Sequence, residues 1–247
     1  MKQRWKITIE YDGSEFFGWQ RQQNGLSVQQ VLEQAIFQFS NEKILVQGAG
    51  RTDSGVHAIG QVAHFDLVRP LSSHKMRAAI NHFLKPYAVG VLKAEAVAQN
   101  FHARFSAKAR TYLYRISTRP TQAVLERGKV WHHRRPLDAV IMHQAGQIFL
   151  GTHDFTSFRA QECQAKSPIK TIDALSVKAK NPHEIEICIS ARSFLHHQVR
   201  NFVGSLAWVG RGKWQIADLE TALLQKNRAA AGPTAPPYGL YLTKVSY

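Results

Sequence analysis

Hydrophobic residues along this chain recur at two spacings, and the switches between them mark out its elements. Trp5 to Tyr11 alternates, with Ile7, Ile9 and Tyr11 on one face of a predicted strand. Val28, Val31, Leu32, Ala35, Ile36 and Phe39 form a helical stripe, and Ser27 with Gln30 ahead of it has capping-box spacing. Ile44 to Ala49 and Ile59 to Leu67 read as strands. Ser73 stands where a cap belongs, before Met76, Ile80, Phe83 and Leu84, and Pro86 stops that helix. Tyr87 to Val97 is extended, so the order is β-α-β-β-α-β.

The second half repeats the order without repeating the sequence. Ala109 to Thr118 alternates, with Tyr112, Tyr114 and Ile116 on one face. Asp138 caps a predicted helix running through Leu150. Ile169 to Val177 and Glu184 to Ala191 are predicted strands, the latter alternating Ile185, Ile187, Ile189. Val199, Phe202, Val203 and Leu206 mark a helix, Ile216, Leu219 and Leu223 an extra one, and Leu240 to Tyr247 closes the half as a strand. The predicted class is α+β: two ferredoxin-like halves, residues 1–105 and 106–247, with antiparallel sheets side by side and a central cleft between them.

One stretch carries more chemistry than the rest. Gly48 to Ala58 reads GAGRTDSGVHA, with three glycines, an arginine, a threonine and an aspartate within eight residues. Glycines let a backbone turn sharply and approach a ligand closely. The loop presents Asp53 with Arg51 beside it, an acid next to a permanent cation, which suits a carboxylate that stays ionised. The same residue types also suit a hairpin whose Asp and Ser satisfy turn amides. A dinucleotide fingerprint does not fit, because the pattern would need glycine at position 53. A Ser54–His57–Asp53 triad does not fit either, since the surroundings are not a nucleophile elbow.

Charge narrows the partner. The chain has 247 residues with 32 Lys+Arg against 17 Asp+Glu, a formal net charge of +15, which points to a polyanion. Between Glu95 and Glu126 there is no acid, while Arg104, Lys108, Arg110, Arg115 and Arg119 interleave with Phe101, Phe105, Tyr112 and Tyr114. Such a mixture suits phosphates and unstacked bases, although some of these aromatics belong to the core. Cys163 and Cys188 lie far apart with no CxxC, which argues against a disulfide framework and a zinc site, and Cys188 is expected to be packed. The N-terminus has no apolar signal-peptide core and no run reaches membrane-spanning length, so a cytoplasmic protein is expected.

GAGRTDSGVHA resembles the active-site motif of the tRNA pseudouridine synthase A family. YDGSEFFGWQRQ, FHARFSAKARTYLYRI, DFTSFRA, FLHHQVRNFVGSL and GLYLTKVSY are similar to that family too, in the same order, so the resemblance covers nearly the whole chain. It implies isomerisation of uridine to pseudouridine at anticodon stem-loop positions 38, 39 and 40 of tRNA, by a homodimer that uses no cofactor and no metal. Asp53 matches the family's catalytic aspartate, and Arg200 in HHQVRN the basic residue paired with it. Tyr112 matches the active-site tyrosine that stacks on the flipped uracil, and Arg51 the arginine that fills the vacated space. Adjacent His196 and His197 would diverge if they sat on a helix, and no third metal ligand is evident in the sequence.

Two other functions use the same elements. A non-catalytic protein with two RRM-like units would share the element order, but Ile59 to Leu67 and Glu184 to Ala191 lack an RNP1 pattern. It would also leave Asp53 unexplained, because a carboxylate repels phosphate. A metal-dependent nuclease needs clustered carboxylates, and the 17 acids are scattered.

Overall fold

A computed structural model describes residues 2–247. In chain order the elements are β1 (Gln3–Tyr11), α1 (Val28–Ser40), β2 (Gln47–Gly48), β3 (His57–Leu67), α2 (Ser73–Leu84), β4 (Val89–Val97), β5 (Ala109–Ser117), β6 (Trp131–His132), α3 (Ala139–Gly146), β7 (Gly151–Asp154), β8 (Ile169–Asn181), β9 (Glu184–Ala191), α4 (Gln198–Gly210), α5 (Ile216–Leu224) and β10 (Leu240–Ser246). The α+β class read from the sequence is the one observed. The chain divides into two compact units, one running up to Lys108 with Tyr241–Tyr247 added, the other spanning Ala109–Leu240.

In the first unit β1 pairs antiparallel with both β3 and β4, with Trp5 opposite Phe65 and Ala96, and Ile7 opposite Ala63 and Ala94. Residues directly opposite share a face. That face holds Trp5, Ile7, Ile9 and Phe65, all buried, and α2 packs on β4 with α1 against α2. Burying each such side chain contributes about 1.5–3 kcal/mol. Ser27 Oγ accepts from the Gln30 amide at 3.3 Å, as the capping pattern predicted. The cap of α2 is Ser72, one residue before the expected Ser73. On the other face of the sheet Val62 packs with Ala49, Ala103, Phe101, Val245 and Tyr247.

Two departures shape the surroundings of Asp53. The predicted strand over 44–49 shrinks to Gln47–Gly48. Side chains of α1 replace a neighbouring strand: Glu33 Oε1 accepts from the Val46 amide at 3.1 Å and Gln29 Nε2 donates to the Val46 carbonyl at 3.0 Å. The last strand, expected to close the second half, lies in the first unit. It pairs parallel to β3, Tyr241 opposite His57 and Leu242 opposite Ala58, where β3 extends beyond the reach of β2.

In the second unit β5, β9, β8 and β7 follow one another across the sheet in antiparallel pairs, and β6 pairs parallel to β5. Beneath them Phe149 stacks on Phe202 with centroids 4.0 Å apart, and Phe155 and Phe158 close round the pair. Asp138 caps α3 through the Val140 and Ile141 amides, but that helix ends at Gly146 and continues only as a 3-10 turn over Gln147–Phe149. Cys188, expected to be packed, is exposed: period-two alternation buries Ile187 and Ile189 and so turns residue 188 outward. Among the described residues no helix is long and apolar enough to cross a membrane.

Candidate active site

Asp53 sits half-buried on the loop from β2 to β3, just before a turn closed by the Val56 amide on its own carbonyl at 3.1 Å. The segment Tyr11–Trp19 grips this loop. The Trp19 amide donates to the Thr52 carbonyl at 3.1 Å, and the Gly55 amide and Ser54 Oγ both donate to the Phe16 carbonyl. Tyr11 Oη meets Thr52 Oγ1 at 2.8 Å in the interior. Burial pushes the Tyr11 phenol up to about 12, so it stays protonated, its bonds to Thr52 and Gln61 pulling the other way. From the opposite side the buried Gln61 donates to the Gly50 carbonyl at 2.9 Å. Each such bond contributes on the order of 1 kcal/mol and each fixes one more atom of the loop.

Gly18 shows why this grip needs glycine. Its φ is +82°, and a Cβ there would stand 2.5 Å from the Thr52 carbonyl oxygen and 3.1 Å from the Asp53 carbonyl carbon. Further along, the Gly13 amide donates to His57 Nδ1 at 3.0 Å, and the His57 ring stacks on Tyr241 with centroids 4.7 Å apart. The YDGSEFFGW stretch, quoted above only as a resemblance, is the scaffold of the Asp53 loop. Arg51 lies two residues before Asp53 on the same loop, with its side chain exposed.

In the second unit Tyr112 is on β5, 9 % exposed, with its ring edge-on to Phe194 at 5.2 Å. Tyr114, two residues on along the same face, is fully buried and donates from its hydroxyl to the Pro236 carbonyl at 2.8 Å. Burial pushes the Tyr114 phenol well above its ordinary value, while the Arg200 charge pulls it down. Arg200 is half-buried in the first turn of α4, and its Nε donates to the Ala235 carbonyl at 2.8 Å. The Ala235 amide returns a bond to the Arg200 carbonyl at 3.1 Å.

His196 and His197 are not on the helix, which begins at Gln198. His197 takes a left-handed conformation, φ 63°, and the two rings come together with centroids 4.0 Å apart, tilted by 40°, rather than diverging. The helix geometry assumed in the sequence reading does not apply once the chain reverses at that residue.

The basic and aromatic stretch divides. Arg110 is buried and donates to the Arg192 carbonyl at 2.6 Å, and Arg115 pairs with Glu126 at 2.5 Å. Phe101 is half-buried under Lys6, whose Nζ lies 5.8 Å from its centroid. Phe105 is 72 % exposed, beside the exposed Arg104 and Lys108. Only part of the stretch is therefore surface available to an anion.

The family described as tRNA pseudouridine synthase matches residues 7–106 and 145–247 of the chain. The chain is 57 % identical to the tRNA pseudouridine synthase A of Rhodospirillum centenum over 245 residues, covering 99 % of the chain and 100 % of that protein. It is 54 % identical to the protein of the same name from Maricaulis maris over 99 % of the chain and 98 % of that protein. It is 53 % identical to that of Parvibaculum lavamentivorans over 99 % of both chains.

Proposed function

The chain belongs to the tRNA pseudouridine synthase family, whose members are isomerases, and from that premise we propose that it converts uridine to pseudouridine in the tRNA anticodon stem-loop with Asp53 as its catalytic carboxylate. The reaction breaks the N1–C1′ bond, turns the uracil and forms C5–C1′. The C5 proton leaves and N1 gains one, so no atom is lost and no electron is exchanged with a cofactor or metal. Positions 38, 39 and 40, action as a homodimer, and a cytoplasmic location are parts of the same reading.

The observation that carries it is the fixed loop around Asp53. A carboxylate that attacks or assists departure at a sugar carbon must hold its position while the base turns, since misplacement by about 1 Å can cost roughly 10²-fold in rate. Bonds from Trp19, Tyr11 and Gln61 to the residues flanking Asp53 supply that restraint. In this reading Arg200 pairs with Asp53, Tyr112 stacks on the uracil and takes part in removing the C5 proton, and Arg51 occupies the space left by the flipped base. The first half carries the aspartate loop and the second the tyrosine and arginine, each half a variation on the ferredoxin-like plan; the order β4-β1-β3, with β2 on β3, supports this for the first.

The test is release of tritium from tRNA labelled at uracil C5, with pseudouridine mapped on the product. Wild-type release confined to the anticodon stem-loop, with modification at positions 38, 39 or 40, is expected. Release from other regions of the tRNA would overturn the positional assignment, and no release at all would overturn the activity.

A further inference from the structure

Arg200 is held by a segment of chain that the function above does not use. Residues 231–236 lie along α4, so close that a Cβ on Gly204 would collide with the Pro233 carbonyl. Ser205 Oγ accepts from the Gly232 amide at 3.0 Å, and Ala235 makes the two-way tie to Arg200. Pro236 takes the Tyr114 hydroxyl, so the same strap also reaches the face of β5 that carries Tyr112.

A polar knot closes the strap at the residue next to Arg200. Asn201 is fully buried; its Nδ2 donates to the Phe158 carbonyl at 2.8 Å. Its Oδ1 accepts from Arg228 Nη2 at 3.1 Å and from Thr234 Oγ1 at 2.7 Å. Arg228 Nη2 also donates to Thr234 Oγ1 at 2.9 Å, and Arg228 Nη1 to the Gly232 carbonyl at 3.0 Å. Every one of these acceptors is a neutral oxygen, and burial draws the Arg228 guanidinium below its ordinary value. Half-burying a cation with no carboxylate among these partners carries a desolvation cost, and the knot accepts that cost where it fixes the strap beside Arg200.

We propose that Arg228, through Asn201 and Thr234, is a positioning residue: it fixes the 231–235 strap, and thereby the Ala235 carbonyl that orients the Arg200 guanidinium. The inference rests on the role given to Arg200 above. Arg228 touches neither uridine nor Asp53 in this scheme; its effect passes only through Arg200.

The experiment is a double-mutant cycle on single-turnover pseudouridine formation, with filter binding of an unmodified tRNA transcript and thermal melting measured on each variant. Arg228→Met is expected to lower the single-turnover rate by about 10–10²-fold, the scale of a displaced catalytic group, with tRNA affinity unchanged within about twofold. Arg200→Met/Arg228→Met is expected to be no slower than Arg200→Met alone, because the second change acts on a group already gone. A double variant whose losses multiply, an Arg228→Met that loses affinity instead of rate, or one that turns over like wild type would overturn the inference. Thr234→Val removes one hydroxyl from the knot and is read in the same cycle should Arg228→Met not fold. If Arg200→Met itself has wild-type turnover, the role of Arg200 falls, and this inference with it.

Discussion

The Asp53 loop and the first turn of α4 each present a half-buried charged group, and each is held from outside its own element. The aspartate loop is held by its backbone: the Thr52 and Gly50 carbonyls accept, and the Gly55 amide donates, and none of these bonds uses the side chain at 53. The arginine is held by its own side chain, Nε on the Ala235 carbonyl, and so depends on where a later strap lies. A short carboxylate has too few torsions to need more than a fixed backbone. A long guanidinium has several, and must be tied near its end.

The comparison breaks most sharply at the aspartate. Asp53→Asn keeps the loop's backbone bonds and is expected to melt within a few degrees of wild type and bind tRNA normally. Its tritium release is expected to fall by roughly 10⁴-fold or more, the scale for losing a nucleophile. Substantial turnover would remove Asp53 from the chemistry.

Next in size is Tyr112→Phe, which keeps the ring and its edge contact with Phe194 and removes only the hydroxyl. Single-turnover formation is expected to fall by about 10²-fold, the usual scale for a positioned acid or base, with near-normal filter binding. A Phe variant with the wild-type rate would make Tyr112 a stacking platform only.

Gly18→Ala tests backbone holding directly. The new Cβ would press on Thr52 and Asp53, and φ +82° disfavours any side chain. Activity is expected to fall by about 10-fold, with a lowered melting temperature and Asp53 chemically intact. An Ala variant with unchanged rate would show that the loop tolerates displacement.

The last effect is on stability rather than on rate and concerns the other face of the first-unit sheet. His64 is buried and accepts from the Ala103 amide through Nδ1 at 3.2 Å. Burial, then the charges of His102 and Arg4, hold its imidazole down at about 4. The folded value lies below the unfolded one, so the unfolded chain takes up the proton first as pH falls. Stability is therefore full above about pH 6.5 and declines toward pH 4, by roughly 3 kcal/mol at most. Melting curves across that window should slope more steeply for wild type than for His64→Gln; equal slopes would discount the histidine.

The aspartate loop and many of the elements in both units were legible in the chain because their signals are local. Asp53, Arg51 and their glycines fall within one loop, and the Ser27 and Asp138 caps act on amides two or three residues ahead. Alternation of Ile185, Ile187 and Ile189 named the buried face of β9; Cys188 was expected to be packed in that run, although the same alternation turns it outward. The arginine side was legible only as a residue within a motif. Nothing at Arg200 or Asn201 announces Arg228 or Thr234, which stand 27 and 33 residues from Asn201.

By itself, the sequence determined the α+β class, the succession of the longer strands and helices without the short β6 and β7, the loop that carries Asp53 and the basic balance that suits a nucleic acid. These follow from periodicity, capping and charge, which act between residues a few positions apart or are simple sums. Only the tertiary structure decided that Gln29 and Glu33 would stand in for a strand beside Val46, and that the last strand would pair with β3. It also decided which basic side chains would be tied to backbone carbonyls, as the buried Arg110 and the half-buried Arg228 are. Each of these is a hydrogen-bonding choice among many partners with equal chemistry, and it is settled by which backbone groups the closed chain leaves within about 3 Å of one another.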